Sequence, residues 1–256
     1  MDTKKACYLF FDYDNTVYVN RTISERTISA MTDAQRAGHK LILCTGRARG
    51  ARIEDYKKIP WDAVINGGCD ITYGGRCVEE KSVAAEDIRA WVAFSMQNRR
   101  FFAYEGQKEN GFYHFEEHKT PYTDAEIREM QDLIVGISAK NPATKFSILG
   151  TDFDASTFPK TRMNPIIHPT YVEVFGEGCD KGRAIKRFCE LFDVPLAQCA
   201  CFGDSMNDYA MFEICPVGIC MAESSDALKA ISTYVAQTDE GVAEGLAWLF
   251  NKGEAK

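Results

Sequence analysis

Acidic side chains stand at the end of an apolar stretch near the start of the chain, where residues 9–18 read LFFDYDNTVY. Asp12 and Asp14 flank one tyrosine, and Thr16 follows two residues later. In an open parallel α/β sheet, the ligand crevice lies outside the carboxyl ends of the strands. Carboxylates at such a strand end are therefore candidates for chemistry as well as for solvation.

Three further polar motifs follow, each at a predicted strand end or helix start. They are Thr45-Gly46-Arg47, Lys181, and the run GDSMND at residues 203–208. Taken singly, an acidic turn, a loop start or a helix N-cap explains each motif without any chemistry. Together they bring carboxylates, a hydroxyl and an ammonium to one edge of one predicted sheet. Hard oxygen ligands of this type suit Mg²⁺, which usually keeps waters or substrate phosphate oxygens as well.

The elements that would position these motifs alternate between strand and helix. Apolar runs of strand length occupy residues 6–12, 41–45, 63–65, 199–203 and 216–220, and a hairpin is predicted over residues 71–78. Helical patterns occupy residues 22–38, 47–58, 181–192 and 206–213, with a last helix near the C-terminus. This alternation predicts an α/β fold with a doubly wound parallel sheet.

The middle of the chain differs in character. Helical patterns occupy residues 83–98 and 123–138, and strand patterns occupy residues 101–105, 111–115 and 144–149. Because this is an α+β pattern, we predict an inserted second domain over residues 81–170. The core would then consist of residues 1–80 and 171–256, with residues 171–175 as a strand that leads back into it.

Length and charge limit the classes of function. The 256 residues, of which 45% are apolar, suffice for one large domain or two modest ones. A formal net charge of -7 argues against a broad nucleic-acid or acidic-lipid surface, since phosphate backbones are held mainly by clustered Lys and Arg. We therefore expect a small-molecule ligand, with neither nucleic acid nor a membrane as partner.

The N-terminus and the cysteines indicate the compartment. The first apolar run breaks at Asp12, too short for a secretory signal, and no stretch approaches the roughly 18 to 20 apolar residues of a membrane span. The ten cysteines are scattered through apolar segments, as expected of buried, reduced thiols. We expect a cytoplasmic protein, either a monomer or a homodimer.

The four motifs, in this order and over the whole chain, resemble those of the haloacid dehalogenase-like (HAD) superfamily, in its Cof-type sugar-phosphatase branch. The resemblance implies a HAD-like Rossmannoid core with an inserted α/β cap that closes over the substrate and sets specificity. It also implies a Mg²⁺-dependent phosphatase acting on small phosphate monoesters such as sugar phosphates. The first motif departs from the family at Asn15, where glycine is commoner, but asparagine tolerates left-handed backbone geometry.

The resemblance implies a role for each matched residue. Asp12 would be the nucleophile that forms an aspartyl-phosphate, and Asp14 would serve as acid for the leaving group and then as base for water. Thr45 and Gly46 would bind the transferring phosphoryl group. Lys181 would neutralise charge on Asp12 and on that group.

Metal and ligand contacts are implied in the same way. The implied Mg²⁺ ligands are Asp12, Asp14 (through its backbone carbonyl), Asp204 and Asp208. Asp208 is either a direct ligand or a partner of water and Lys181, and Asn207 would hydrogen-bond near the phosphate. The turn Asn66-Gly67-Gly68 matches one in this branch, either as a simple tight turn or as a ligand contact. Candidate cap contacts are His114, His118, Lys145 and Arg162.

Two other functions stay open from the sequence. A phosphomutase of the same superfamily would use the same motifs and cap type. A phosphate-responsive regulatory protein, resembling a response-regulator receiver, would retain Asp12, Thr45 and Lys181. Two features oppose the receiver: such a domain lacks a cap-sized insertion, and it does not need an acid–base group at Asp14.

Overall fold

The computed structural model describes residues 1–51 and 54–251. The chain divides into two compact units. The first unit comprises Met1–Gly46, Ile53–Glu80 and Asp180–Lys256, and the second unit comprises Arg47–Arg52 and Lys81–Cys179.

Strands and helices of the described residues are numbered along the chain. The strands are β1 (Tyr8–Phe11), β2 (Lys40–Thr45), β3 (Ala63–Asn66), β4 (Asp70–Tyr73), β5 (Arg76–Glu79), β6 (Phe101–Gly106), β7 (Asn110–His114), β8 (Ala143–Leu149), β9 (Asn164–Ile167), β10 (Tyr171–Phe175), β11 (Cys199–Gly203), β12 (Val217–Cys220) and β13 (Tyr234–Val235). The α-helices are α1 (Glu25–Arg36), α2 (Ala85–Gln97), α3 (Asp124–Ser138), α4 (Lys181–Phe192), α5 (Tyr209–Ile214), α6 (Asp226–Ile231) and α7 (Gly241–Asn251). None of these helices has the length and apolar character needed to cross a membrane.

The first unit is built on an eight-stranded sheet with the order β13-β12-β11-β1-β2-β3-β4-β5. The strands from β13 to β3 are parallel to one another. An antiparallel hairpin of β4 and β5 closes one edge. The predicted α/β fold with a large parallel sheet is confirmed.

Apolar side chains cover both faces of the central strand β1, which explains its continuous hydrophobic sequence. Leu9 and Phe11 pack on one face, in a core that includes Met31 of α1. Phe10 packs on the opposite face, where its ring meets that of Phe188 in α4 edge-on at 5.6 Å between centroids. Successive residues of β1 therefore anchor helices on both sides, which holds the end of the strand in place.

The second unit contains a five-stranded antiparallel sheet with the order β7-β6-β8-β10-β9. Alternate residues of its three central strands, such as Phe102, Phe146 and Val172, pack in one core with Trp91 of α2 and Ile134 of α3. The two helices thus cover one face of the sheet. This arrangement agrees with the α+β pattern of the middle of the chain.

The limits of the second unit differ from the prediction. The strand predicted over residues 171–175 forms, as β10, but it pairs with β8 and β9 and does not join the core sheet. The second unit therefore extends to Cys179 instead of ending at residue 170. The sequence did not reveal this because the edge strand β9 reads NPII, and its proline is a poor strand signal.

Two predicted helices are also different in detail. Within the helix predicted over residues 47–58, a 3₁₀ helix spans Glu54–Lys58, residues 49 and 50 lie in a turn, and residues 52 and 53 are outside the described part. The helix predicted over residues 206–213 begins as a 3₁₀ turn, Met206–Asp208, and continues as α5. The cysteines behave as predicted, since all ten are free thiols and only Cys77 is exposed.

Candidate active site

Four adjacent parallel strands bring polar residues to one edge of the first unit's sheet. β1 lies between β2 and β11, and β3 follows β2. Thr45 at the end of β2 is paired in register with Asn66 at the end of β3. Asp12 continues β1 and donates a backbone hydrogen bond to the carbonyl of Phe202 (2.9 Å), and Asp204 directly follows β11. The residues that the sequence marked for chemistry therefore lie at neighbouring strand ends.

A tight turn follows Asp12 and carries the second aspartate. The backbone N–H groups of Val17 and Tyr18 both donate to the carbonyl of Tyr13, at 3.0 and 2.8 Å. The turn requires a positive φ at Asn15 (57°), as predicted for an asparagine in the place of glycine. Asp14 is half-buried in this turn.

Lys181 is the central cation of the site. It is the first residue of α4, and its side chain is 1% exposed. Its ammonium donates to Asp12 Oδ1 (2.5 Å), to Asn207 Oδ1 (3.1 Å) and to Asp208 Oδ1. Burial alone would lower the pKa of Lys181, but the charges of Asp12 and Asp208 outweigh it and raise that pKa well above its ordinary value. The side chain is therefore a fixed positive charge.

Asp208 is fully buried and uses both of its carboxylate oxygens within the chain. Oδ1 accepts from Lys181, and Oδ2 accepts from the backbone N–H groups of Asp204 (2.9 Å) and Ser205 (3.0 Å). A β-carbon at Gly203 would lie 2.6 Å from the Asp208 carboxylate, so glycine is required beside it. These contacts favour a positioning role for Asp208, which orients both Lys181 and the turn after β11.

Three carboxylates converge next to the lysine. Oxygens of Asp12, Asp204 and Asp208 all lie within 4.8 Å of one another. Burial and the two neighbouring carboxylates raise the pKa of Asp12, although Lys181 opposes this shift. Burial, and then Asp208, raise the pKa of Asp204 to about 6. Three acidic groups against one ammonium leave an excess of negative charge, and these hard oxygen donors fit a divalent cation such as Mg²⁺.

The predicted ligand-binding residues are positioned in different ways. Thr45 is 1% exposed at the end of β2, and Gly46 is buried directly after it. Asn207 uses its Oδ1 to accept from Lys181 and from the Ser205 hydroxyl (2.8 Å). Its contact with a phosphate stays a prediction.

The turn after β3 owes its two glycines to local geometry. Gly67 and Gly68 both have positive φ, at 55° and 67°. A β-carbon at Gly68 would come within 2.9 Å of the Asp180 backbone, directly before α4. The tight-turn interpretation of Asn66-Gly67-Gly68 therefore has a physical cause.

Two acidic residues near this turn were missed by the sequence reasoning. Asp70 is fully buried and pairs with Asn66 across the β3–β4 hairpin. No sequence pattern marks it. Asp180 is the N-cap of α4, where its Oδ1 accepts from the Arg183 backbone N–H (2.8 Å). An aspartate directly before a helical pattern was a usable N-cap signal.

The four candidate cap contacts all lie in the second unit, and they differ in burial. Lys145 is buried between Glu173 and Glu105, whose Oε1 is 3.4 Å from the ammonium. These contacts satisfy its charge within its own unit and favour a structural role. The other three, nearer to solvent, are His114, His118 and Arg162.

Comparisons with known proteins indicate which family the chain resembles. A family model described as haloacid dehalogenase-like hydrolase matches residues 9–247. Phosphatase YwpJ of Bacillus subtilis (strain 168) is 33% identical over 30% of this chain, an alignment that spans only 28% of that relative. YkrA of the same organism is 22% identical over 95% of this chain and 96% of its own length.

A solved structure extends the comparison to three dimensions. The HAD subclass IIB sugar phosphatase BT4131 superposes with a TM-score of 0.78 at 19% identity. The superposition covers 96% of this chain and 99% of the other. At this identity the likeness establishes the shared fold.

Proposed function

The chain belongs to the haloacid dehalogenase-like hydrolases, and we propose that it is a Mg²⁺-dependent phosphatase of small phosphate monoesters that works through an aspartyl-phosphate. The observation that carries the proposal is the position of Lys181, which donates to both Asp12 and Asp208 at a strand edge rich in carboxylates. A buried ammonium beside Asp12 suits a reaction in which a phosphate dianion must approach a carboxylate.

In the first half-reaction, a carboxylate oxygen of Asp12 attacks phosphorus and the bond from phosphorus to the ester oxygen breaks. Asp14 donates a proton to the departing oxygen, so that a neutral alcohol leaves. Lys181 reduces the repulsion between Asp12 and the incoming phosphate. Thr45 and the backbone N–H of Gly46 hold the transferred phosphoryl oxygens.

In the second half-reaction, the ionised Asp14 takes a proton from water, and the water oxygen attacks phosphorus. The bond between phosphorus and Asp12 breaks, which releases inorganic phosphate and restores the free carboxylate. The covalent intermediate thus divides one difficult displacement into two easier ones.

The cluster formed by Asp12, Asp204 and Asp208 offers hard oxygen donors, which suit Mg²⁺. Asp12, Asp204 and the backbone carbonyl of Asp14 would hold the ion, which when bound supplies positive charge to the phosphoryl oxygens. Asp208 has a separate task because both of its oxygens already accept hydrogen bonds from Lys181 and from the turn after β11.

We propose sugar phosphates or related small esters as substrates, with the second unit selecting among them. Support for this class comes from the shared fold with a subclass IIB sugar phosphatase. The net charge of -7 also disfavours polyanionic macromolecular substrates.

The direct test is release of inorganic phosphate from a panel of sugar and polyol phosphates, with Mg²⁺ or with chelator, for the wild type and Asp12→Asn. The matched control is Asp132→Asn, which changes an aspartate that is 69% exposed in the second unit. We expect Mg²⁺-dependent release from the wild type and the control, and none from Asp12→Asn with unchanged circular dichroism. Turnover by Asp12→Asn would refute the nucleophile, and an isomeric ester without free phosphate would indicate a mutase.

A further inference from the structure

Two buried cysteines of the first unit lie in contact on the face of the sheet that α4 covers. Cys189 belongs to α4, Cys199 is the first residue of β11, and their Sγ atoms are 3.7 Å apart. β11 ends at Gly203, so the pair lies at the opposite end of this strand from Asp204. Neither cysteine has a role in the proposed phosphatase chemistry.

The fold holds the two sulfur atoms close to bonding distance. A disulfide needs about 2.05 Å between its sulfurs, so each Sγ must move by roughly 0.8 Å. The segment that joins the two cysteines is short and internally hydrogen-bonded. The backbone N–H of Val194 donates to the carbonyl of Cys189 (2.9 Å), and the backbone N–H of Gln198 donates to the carbonyl of Pro195 (2.9 Å). Two groups that are positioned in this way react with each other far more readily than the same groups free in solution.

The two thiols differ in their surroundings. Cys199 is fully buried, whereas Cys189 retains 7% exposure, so a solute reaches Cys189 first. The Cys199 thiol has two acceptors at 3.7 Å, the sulfur of Cys189 and the carbonyl oxygen of Pro195. The hydrogen bond from Cys199 lowers the pKa of Cys189, although burial and the charge of Glu190 oppose this shift. The same hydrogen bond, and then burial, raise the pKa of Cys199, so Cys189 is the more nucleophilic of the two.

We propose that Cys189 and Cys199 form an oxidisable dithiol, which a peroxide converts to a disulfide in the folded chain. The disulfide links α4, which begins at Lys181, to the start of β11, and it closes a loop over residues 189–199. A reducing thiol reopens it by exchange. This site does not depend on the proposed phosphatase function, because the test measures the chemistry of the thiols directly.

The oxidation proceeds in two steps. The thiolate of Cys189 attacks one oxygen of hydrogen peroxide, the O–O bond breaks, and the sulfenic acid of Cys189 forms. The departing hydroxide takes up the proton that Cys189 has lost. The sulfur of Cys199 then attacks the sulfur of Cys189, the S–O bond breaks, and the leaving hydroxide takes the proton of the Cys199 thiol. Two thiols and one peroxide thus give one disulfide and two waters, and two electrons pass from sulfur to oxygen.

The test exposes the folded full-length chain to hydrogen peroxide, alkylates the remaining thiols with N-ethylmaleimide and maps the products by mass spectrometry. Cleavage after Arg187 and Glu190 separates residues 188–190, which contain Cys189, from the peptide that contains Cys199. We expect these two peptides to be linked, with a mass about 2 Da below their sum, and dithiothreitol to separate them. Circular dichroism should be unchanged, and links between other cysteines should be at least about tenfold less abundant.

Cys201 provides a matched control, since it is a second buried cysteine of β11 in the same apolar core. Cys199→Ala should abolish the link, whereas Cys201→Ala should retain it. If either variant does not fold, tandem mass spectrometry of the wild-type link still shows which cysteine is bonded to Cys189. A link from Cys189 to Cys201, sulfenic or sulfinic acid at Cys189 without a link, or oxidation of the exposed Cys77 while Cys189 stays reduced, overturns the proposal.

Discussion

Lys181 and Asp208 form a buried ion pair in which each partner has a second contact that matters for the site. The ammonium of Lys181 also donates to Asp12, and the second oxygen of Asp208 accepts from the backbone N–H groups of Asp204 and Ser205. The pair therefore links the end of β1, the start of α4 and the turn after β11. Lys181 therefore orients Asp12, the proposed nucleophile. Asp208 in turn orients Lys181 and has no bond-forming role in the proposed reaction.

Replacing the lysine should remove both functions. Lys181→Met leaves Asp12 and Asp208 buried without their counter-charge, so we expect kcat to fall by about 10²- to 10³-fold. Removing one member of a buried pair should also cost about 3–5 kcal/mol of unfolding free energy in the absence of Mg²⁺. Steady-state kinetics and thermal unfolding measure the two effects. Lys186→Met, at an exposed lysine of the same helix, is the control; equal kcat in the two variants would contradict this account.

A bound divalent cation should stabilise the protein through the cluster of three aspartates. The excess negative charge of Asp12, Asp204 and Asp208 is relieved by a bound cation, so Mg²⁺ should raise Tm at constant ionic strength. At a Mg²⁺ concentration of about 100 times Kd, the gain is about 2.7 kcal/mol, which corresponds to a shift of a few degrees. Differential scanning calorimetry with Mg²⁺ or with NaCl of equal ionic strength measures it.

Asp204→Asn should abolish that rise in Tm, whereas Asp132→Asn, at an exposed aspartate, should retain it. A rise in Asp204→Asn equal to that of the wild type would place the cation elsewhere. Because the readout is thermal stability, the result does not depend on finding the natural substrate.

The strand ends were readable from the sequence because apolar runs of strand length stop at polar residues, as β1 does at Asp12. The sequence did not predict which of the carboxylates would be free to bind a metal and which would be used in hydrogen bonds within the chain. The positioning role that we propose for Asp208 rests on two backbone N–H groups that donate to one of its oxygens, which only the structure reveals. Asp70 is fully buried at the start of β4, where it pairs with Asn66, and no sequence pattern marks a buried aspartate at that position.

The second unit shows a different reason for failure. Helices α2 and α3 and strands β6, β7 and β8 follow local patterns, and all were predicted. The placement of β10 depends on which sheet accepts it, a long-range choice that its sequence YVEVF does not encode. Local periodicity therefore identified the strand and misplaced its domain.

Adding one methyl group at Gly203 should disturb the site from inside the sheet. The new β-carbon of Gly203→Ala would lie 2.6 Å from the Asp208 carboxylate, so the carboxylate must shift away from its backbone donors. We expect a loss of about 1–3 kcal/mol of unfolding free energy and a lower kcat with little change in KM. Chemical denaturation and phosphate-release kinetics measure these effects.

The matched control is Gly136→Ala in α3, where an added β-carbon meets no atom within 4 Å. Removing glycine from a helix interior should stabilise the protein by about 0.5–1 kcal/mol. If both variants behave alike, the close approach of Gly203 to Asp208 has no energetic consequence.

The buried charges of the second unit should make its stability depend on pH. Burial disfavours the ionised form of Glu173, but Lys145 and His168 outweigh it and hold the pKa of Glu173 well below its ordinary value of 4.5. A carboxylate with a depressed folded-state pKa contributes stability above pH 4.5 and loses it as the pH falls. The stability advantage of the wild type over Glu173→Gln should therefore be largest near neutral pH and should shrink by about 1.4 kcal/mol for each pH unit below 4.5.

Urea unfolding at about pH 7 and at about pH 3.5 measures the difference, with Glu129→Gln at an exposed glutamate of α3 as the control. An advantage that is the same at both pH values would show that Lys145 and His168 do not hold Glu173 in its ionised form.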